Sequence, residues 1–557
     1  MKRFAAALIT LALAACDTTG PEAGFDATES VQPSRPLTIF TGGTIYTGLD
    51  DPKTVGSVTV EGGRVIATSP PASRDWSEEE VTIVDLDGAV MFPGFTDSHA
   101  HLLGIGQREL SLDLAGTASI DELVTRIEAE AEGRGDEAII VGRGWIETGW
   151  PEGRMPTAAD LDAVIGERVV ILQRSDGHAL VASSAALEAA GIGPDTPDPD
   201  GGKIERDADG NATGILIDNA MTPVWALVAK PSEDDIRRAY EEGAKVYVSR
   251  GWTGVHNMSV PDGHASYLAA LDAENLLPLR VFNYFDLAGM GTATLGSFET
   301  DTIYNRGVKL YMDGALGSRG ALLIEPYSDR PDTNGLTLLE PGRLRELMEM
   351  ANTNEVQLAI HAIGDLANRR ILDTYEALGY GPKKRWRIEH TQIVNPADIP
   401  RIAGLGLIAS MQPSHAIGDL KFAPSRLGMG RLDGAYAWQD LLGEGAIIAG
   451  GSDAPVEVGS PLIEFYAAVA RKDLEGNDDE GWHPEQALSR EQALALFTSA
   501  AAYAVFQEDA LGVIEPGKRA DFTVFDRDLM TVPAAEILEA NAVMTVVEGE
   551  IVWQAGE

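Results

Sequence analysis

The stretch Gly94-Phe95-Thr96-Asp97-Ser98-His99-Ala100-His101 decides the reading of this 557-residue chain. It closes an apolar run, Ala89 to Phe95, that reads as a strand. In an extended segment the side chains at i and i+2 project to one face, so His99 and His101 are placed to hold one metal ion together. An isolated His-x-His is a weak motif; its position at the end of a strand preceded by Gly-Phe gives it weight.

Working outward, strands and helices alternate through the middle of the chain, which predicts a parallel α/β architecture. Eight strands are expected, at 89–95, 251–257, 279–285, 308–312, 356–361, 386–390, 407–412 and 446–450, with helical patterns such as 233–249 and 342–351 between them. Eight such units make a (β/α)8 TIM barrel, whose chemistry sits at the C-terminal ends of the strands. Residues of about 104–240 do not fit the repeat and are expected as an insertion after strand one. Short β-type runs near both termini, separated by turns such as Glu61-Gly62-Gly63, predict a small β-sandwich domain built from the two chain ends. The expected organisation is therefore sandwich at 37–92 and 503–557, with the barrel at 93–502.

Further chemistry-bearing residues fall at expected strand ends. His361 ends Leu358-Ala359-Ile360-His361, His390 ends Arg387-Ile388-Glu389-His390, Asp453 follows Gly450-Gly451-Ser452, and Lys309 lies in Val308-Lys309-Leu310-Tyr311. A lone histidine on an apolar strand is usually a hydrogen-bonded core residue. Four histidines, an aspartate and a lysine on one rim are a different pattern. Imidazole with carboxylate suits zinc or a similar divalent transition metal with open positions for water. A lysine on a buried strand is costly unless something uses it.

The order His-x-His, Lys, His, His, Asp resembles the amidohydrolase superfamily, and within it the N-substituted formamide deformylase-like, or YtcJ-like, group. The supporting stretches are Gly144-Trp145 with Trp150, Arg174-Ser175-Asp176-Gly177-His178, the run from Val308 to Arg319, Ile360 to Asp365, and Gly512 to Phe522. The resemblance runs from about residue 37 to the end of the chain. It implies that His99, His101 and Asp453 hold one metal and His361 and His390 another, with carboxylated Lys309 as the bridge. It also implies that Asp453 is the general base and acid, and that His178, in the insertion, lies near substrate as a carbonyl-stabilising group. Superfamily members work with one metal or two, so both stay open here.

Several residues have weaker readings. Arg319 is expected either to meet an anionic group of the substrate or to pin its own loop. Trp150 and Trp145 either line an apolar pocket or pack the interior. Glu389 precedes a ligand and is expected on the opposite face of its strand, in a structural role. His256 and His415 are candidates for pocket lining; His264 and His483 are expected at the surface.

Composition sets the outer limits. Hydrophobic residues make up 44% and charged residues 23%, ordinary for a globular protein with a real core. The net charge of −43 makes nucleic acid a poor partner, because such a chain does not neutralise phosphates. The single cysteine, Cys16, follows a positive Lys2-Arg3 start, an apolar run from Phe4 to Leu13 and a small-residue site at Ala14-Ala15. This resembles a bacterial lipobox, which implies a signal peptide at 1–15, a lipidated Cys16, a tether at 16–36 and an exported lipoprotein on the periplasmic side of a membrane.

The function expected is metal-dependent hydrolysis of amide-type C–N bonds in a small molecule, N-substituted formamides or related amides, by a chain able to form a homodimer. Cyclic amides, carbamates or esters are alternatives; isomerisation or decarboxylation on the same metals is another. A lipid-anchored, catalytically inactive binding protein is the reading from a different class.

Overall fold

The computed structural model describes residues 37–49, 51, 53–69, 81–133, 135, 138–147, 149–174, 179–199, 202–476 and 482–556. The lipobox with Cys16, the tether and His178 lie outside the described residues.

Eight parallel strands form the barrel sheet: β1 (Phe95–Ala100), β2 (Trp252–Val260), β3 (Arg280–Phe285), β4 (Ile303–Tyr311), β5 (Gln357–Ala362), β6 (Arg387–His390), β7 (Ile408–Met411) and β8 (Ile447–Gly450). Each pairs in parallel with the next, and β1 pairs with β2. Near-continuous burial along these strands is what a sheet covered by helices on one face and filled by side chains on the other demands.

One strand differs from expectation. The run at 89–95 is split at Gly94: Val90–Pro93 joins the sheet of the chain ends, and the barrel strand begins only at Phe95. Gly94 donates its N–H to Asp521 O at 2.8 Å, and a Cβ there would come within 2.3 Å of Thr253 Oγ1, so the switch between sheets needs glycine. Phe95 then packs among Phe92, Trp252, Phe465, Phe497 and Phe525.

The seam between β1 and β8 lacks a strand ladder and is closed just past the strand ends. Asp453 N–H donates to His99 O at 2.7 Å and His101 N–H to Ala454 O at 2.8 Å. Buried Asp97 reinforces the seam: its Oδ1 accepts the N–H groups of His99 and Ser452, and its Oδ2 accepts the hydroxyls of Ser452 and Tyr247. Gly451 has to be glycine, since a Cβ would lie 2.4 Å from His99 N.

The insertion is a domain in its own right. Its six-stranded sheet has the order 202–206, 212–218, 179–182, 170–174, 140–145, 112–113. The flanking helices Leu102–Glu109 and Glu233–Ser249 pack on each other as barrel helices, so the inserted sheet lies inside the expected 104–240 limits.

Both chain ends contribute to one mixed sheet of eight strands, ordered 550–554, 542–547, 522–525, 90–93, 37–46, 54–61, 64–67, with 81–85 also pairing with 37–46. The described strands of this region are hydrogen-bonded into that one sheet, which draws on both chain ends. It is tied to the bottom of the barrel by Arg280, whose Nε donates to Asp521 Oδ2 at 2.5 Å, and by Thr545 Oγ1 donating to Val248 O. No helix among the described residues is long and apolar enough to cross a membrane.

Candidate metal centre

The C-terminal rim of the barrel opens into a cavity of about 790 Å³. His99, His101, Lys309, His361, His390 and Asp453 all line it, supplied by β1, β4, β5, β6 and the turn after β8. Residues separated by more than 350 positions meet here because each sits at the end of its strand.

Ring orientation is set by hydrogen bonds behind the histidines. Nδ1 of His99 lies 2.5 Å from Glu389 Oε2, Nδ1 of His101 lies 3.1 Å from Met258 O, and Nδ1 of His390 lies 2.8 Å from Gln412 Oε1. Each bond engages one nitrogen and leaves Nε2 for the centre, the arrangement by which outer partners orient metal-binding imidazoles. Ligand atoms of His99, His390 and Asp453 all lie within 4.8 Å of one another. Asp453 Oδ1 is 3.4 Å from His99 Nε2 and 3.2 Å from His101 Nε2. Lys309 Nζ is 3.3 Å from His99 Nε2. His361 stands beside His390, ring centroids 4.5 Å apart, and its Nε2 is buried 3.4 Å from Asp313 Oδ1.

These residues fit a divalent metal. Converging imidazole nitrogens and a carboxylate with no other protein partner for several of the atoms are the donor set of such a site. Burial, with Lys309 next, drives the His99 pKa down to about 4 and that of His361 to about 3, so both rings are neutral and able to ligate at neutral pH. Burial lowers Lys309 to about 8, which makes its free amine accessible.

Other expected residues are placed elsewhere. Trp150 is not at the cavity: it packs against Trp145 in the insertion core, its Nε1 donating to Thr117 O at 2.6 Å. A large ring with one polar atom is fully served there. Arg319 takes the loop-pinning role, with Nε and Nη2 on the carboxylate of Asp329. His415 does line the cavity, whereas His256 is buried behind it against Arg387. His264 bonds Tyr240, and His483 pairs with Glu485.

Glu389 corrects the parity argument. It faces the barrel interior with Arg387, whose Nε donates to Glu389 Oε1 at 2.8 Å and whose Nη2 donates to Ser410 Oγ and Ser98 O. His390 adopts φ +75°, which breaks the pleat and lets Glu389 and His390 both serve the centre. Burial works against ionising Glu389, but the Arg387 guanidinium and the hydrogen bond to His99 hold its carboxyl well below the ordinary range. Asp313, inside the run from Val308 to Arg319, is a buried acid that the sequence pattern does not single out. It caps the loops after β4 and β5, accepting the N–H groups of Leu322, Ile363 and Gly364, and burial pushes it up to about 7.

Comparison with known proteins follows the same lines. A family model described as an amidohydrolase family matches residues 82–553. The chain is 33% identical over 528 residues to a Bacillus subtilis (strain 168) protein named as an amidohydrolase, YtcJ, covering 93% of this chain and 99% of that protein. It is 28% identical over 532 residues to the N-substituted formamide deformylase of Arthrobacter pascens, covering 89% and 95%. Among solved structures, an uncharacterized metal-dependent hydrolase from Pyrococcus horikoshii OT3 superimposes with a TM-score of 0.74 at 30% identity, covering 89% of this chain and 99% of that one.

Proposed function

This chain belongs to the amidohydrolase family and is a metal-dependent hydrolase, and from that premise we propose that it hydrolyses C–N bonds of amides, with N-substituted formamides or related amides as substrates. The single observation that carries the reading is the convergence of His99, His390 and Asp453 on one point inside the cavity. The named activity of the Arthrobacter relative supports the formamide class.

Zinc is the metal proposed. His99, His101 and Asp453 would hold one ion, His361 and His390 a second, and Lys309, carboxylated on Nζ, would lie between them. Such a centre supplies, when bound, polarisation of a carbonyl oxygen and acidification of a water.

The chain's own residues do the rest. Asp453 accepts the proton of the attacking water on its carboxylate and returns it to the leaving nitrogen. Tyr311, Leu316, Ile363 and Phe422 form the apolar wall that takes the substrate's carbon skeleton. His178 is proposed as a carbonyl-stabilising donor, and lipidation of Cys16 as the membrane anchor. Intact mass of membrane-extracted protein, lacking residues 1–15 and carrying acyl chains, is the expected result for Cys16.

The test is hydrolysis of a panel of N-formyl amines, N-acyl amino acids, carbamates, lactams and matched esters, with metal content measured on the same protein. Amide hydrolysis that is lost on chelation and restored by zinc is expected. Asp453→Asn should lower kcat by about 10²- to 10⁴-fold. Cleavage of the esters alone would overturn the bond assignment.

A further inference from the structure

Two carboxylates of the cavity are left over once the metal centre is accounted for: Asp419 and Glu457, on the wall with Phe422 and Val456. Glu457 is held in place by its backbone. Arg108 Nη1 donates to Glu457 O at 2.9 Å, Arg108 Nη2 donates to Val458 O at 3.1 Å, and Arg250 Nη1 also donates to Val458 O. Its carboxylate accepts no hydrogen bond from the described residues. That group lies beside the chain that carries Asp419, with Oε1 3.9 Å from the position a Cβ would take at Gly418. Asp419 uses Oδ2 to accept the hydroxyl of Tyr436. Burial raises the pKa of both acids, nearby His415 works against that rise in each, and Asp419 and Asp453 add to it for Glu457. Among the residues lining the cavity the sole cationic side chain is Lys309, which belongs to the metal side. Two half-buried acids with no lysine or arginine beside them in the cavity, and only the His415 ring to offset their charge, are costly to ionise, and a positive group supplied from outside relieves that cost.

A second observation on the same wall points to a ligand. His415 is 8% exposed, and its Nδ1 lies 2.8 Å from Gln392 Nε2. Its Nε2 is buried without a hydrogen-bond partner and stands 3.7 Å from Asp453 Oδ2, where the reacting atoms would be. Buried ring nitrogens are ordinarily paired, so this one is free to bond a polar atom of a bound substrate.

We propose that the cavity is built for an amide whose skeleton carries a protonated amine, with the ammonium seated against Glu457 and Asp419 and a polar atom of the substrate bonded to His415 Nε2. The inference rests on the amide-hydrolase reading above. The apolar side chains between the metal centre and the acids accommodate an aliphatic linker, and the acids repel substrates with a free carboxylate at that end. Glu457 and Asp419 are then specificity residues that act on binding, not on bond cleavage.

The experiment uses metal-loaded full-length protein and three amides of matched shape: one ending in an amine, one in a methyl group and one in a carboxylate. The amine should exceed its methyl isostere in kcat/KM by about 10- to 100-fold, mainly through KM, and the carboxylate should be the poorest. In Glu457→Gln that ratio should fall about tenfold, and in Asp419→Asn it should fall as well; a ratio within one variant divides out any general loss. Calorimetric binding of the free amine product to wild type and Glu457→Gln is the second readout, and it should weaken in the variant by a similar factor. Equal turnover of amine and methyl compounds, or a ratio and an amine affinity unchanged in Glu457→Gln, overturns the proposal. If no amide turns over, the amide-hydrolase reading fails, while the calorimetric comparison still decides the ammonium site by itself.

Discussion

The Nδ1 atom of His99 lies 2.5 Å from Oε2 of Glu389, and neither side chain is exposed to solvent. Glu389 is in turn bidentate with buried Arg387, so the orientation of a candidate metal-binding ring is fixed by an ion pair inside the barrel.

This relationship predicts a split between two substitutions. Glu389→Gln keeps the shape but removes the charge, and metal affinity should fall about 10- to 100-fold. Glu389→Ala leaves Arg387 buried and unpaired and should cost about 3–5 kcal/mol in urea unfolding of the metal-free protein. Wild-type metal affinity in the glutamine variant would limit Glu389 to balancing Arg387.

Lys309 offers a chemical rescue. Burial brings its pKa down to about 8, so an uncharged amine able to add CO₂, as the proposed carboxylation requires, is available near neutral pH. Lys309→Ala should lose most activity, and short carboxylic acids in the buffer should restore part of it by occupying the vacated space. Lys309→Arg should resist rescue, because a guanidinium stays cationic. Metal-to-protein stoichiometry near two in wild type, reduced in Lys309→Ala, is the accompanying measurement.

Acid should destabilise the metal-free protein through its ligands. The rings of His99 and His361 titrate near 4 and 3 in the folded chain and near their ordinary 6.5 when unfolded. As pH falls from about 6.5 to 4, the unfolded state binds protons that the folded state refuses, so stability present above 6.5 is lost on acidification. Asp97 and Asp313, raised to about 6 and about 7, act in the opposite sense over an overlapping range. The stability difference between wild type and His361→Gln isolates one ring: it should shrink with acidification by up to about 1.4 kcal/mol per pH unit. Parallel stability curves for the two proteins would refute the neutral-ring assignment.

Gly106 tests the packing that holds His101. Helix Leu102–Glu109 starts immediately after His101 and lies so close to helix Glu233–Ser249 that a Cβ at Gly106 would overlap Ala239 O at 1.6 Å. Gly243 allows the reciprocal approach, its Cβ position being 2.5 Å from Leu102 O. Gly106→Ala should therefore cost about 1–3 kcal/mol by thermal or urea unfolding, since backbone on backbone has no rotamer with which to escape.

The sequence by itself determined the alternation of strands and helices and the residues that end them. Period-two geometry paired His99 with His101, and apolar runs located Lys309, His361, His390 and Asp453 close to where their strands stop. These are local properties, set by burial on both faces of a parallel sheet. What the sequence did not contain was anything that depends on two distant segments at once. That Gly94 hands the chain from one sheet to another depends on Thr253 and Asp521. That Trp150 is core depends on Trp145 and Thr117, and that Arg319 is occupied depends on Asp329. Parity along an ideal strand puts Glu389 on the wrong face because two consecutive left-handed residues, His390 and Thr391, end the pleat; only the packed barrel, with Arg387 and His99 on the inside, stabilises that conformation.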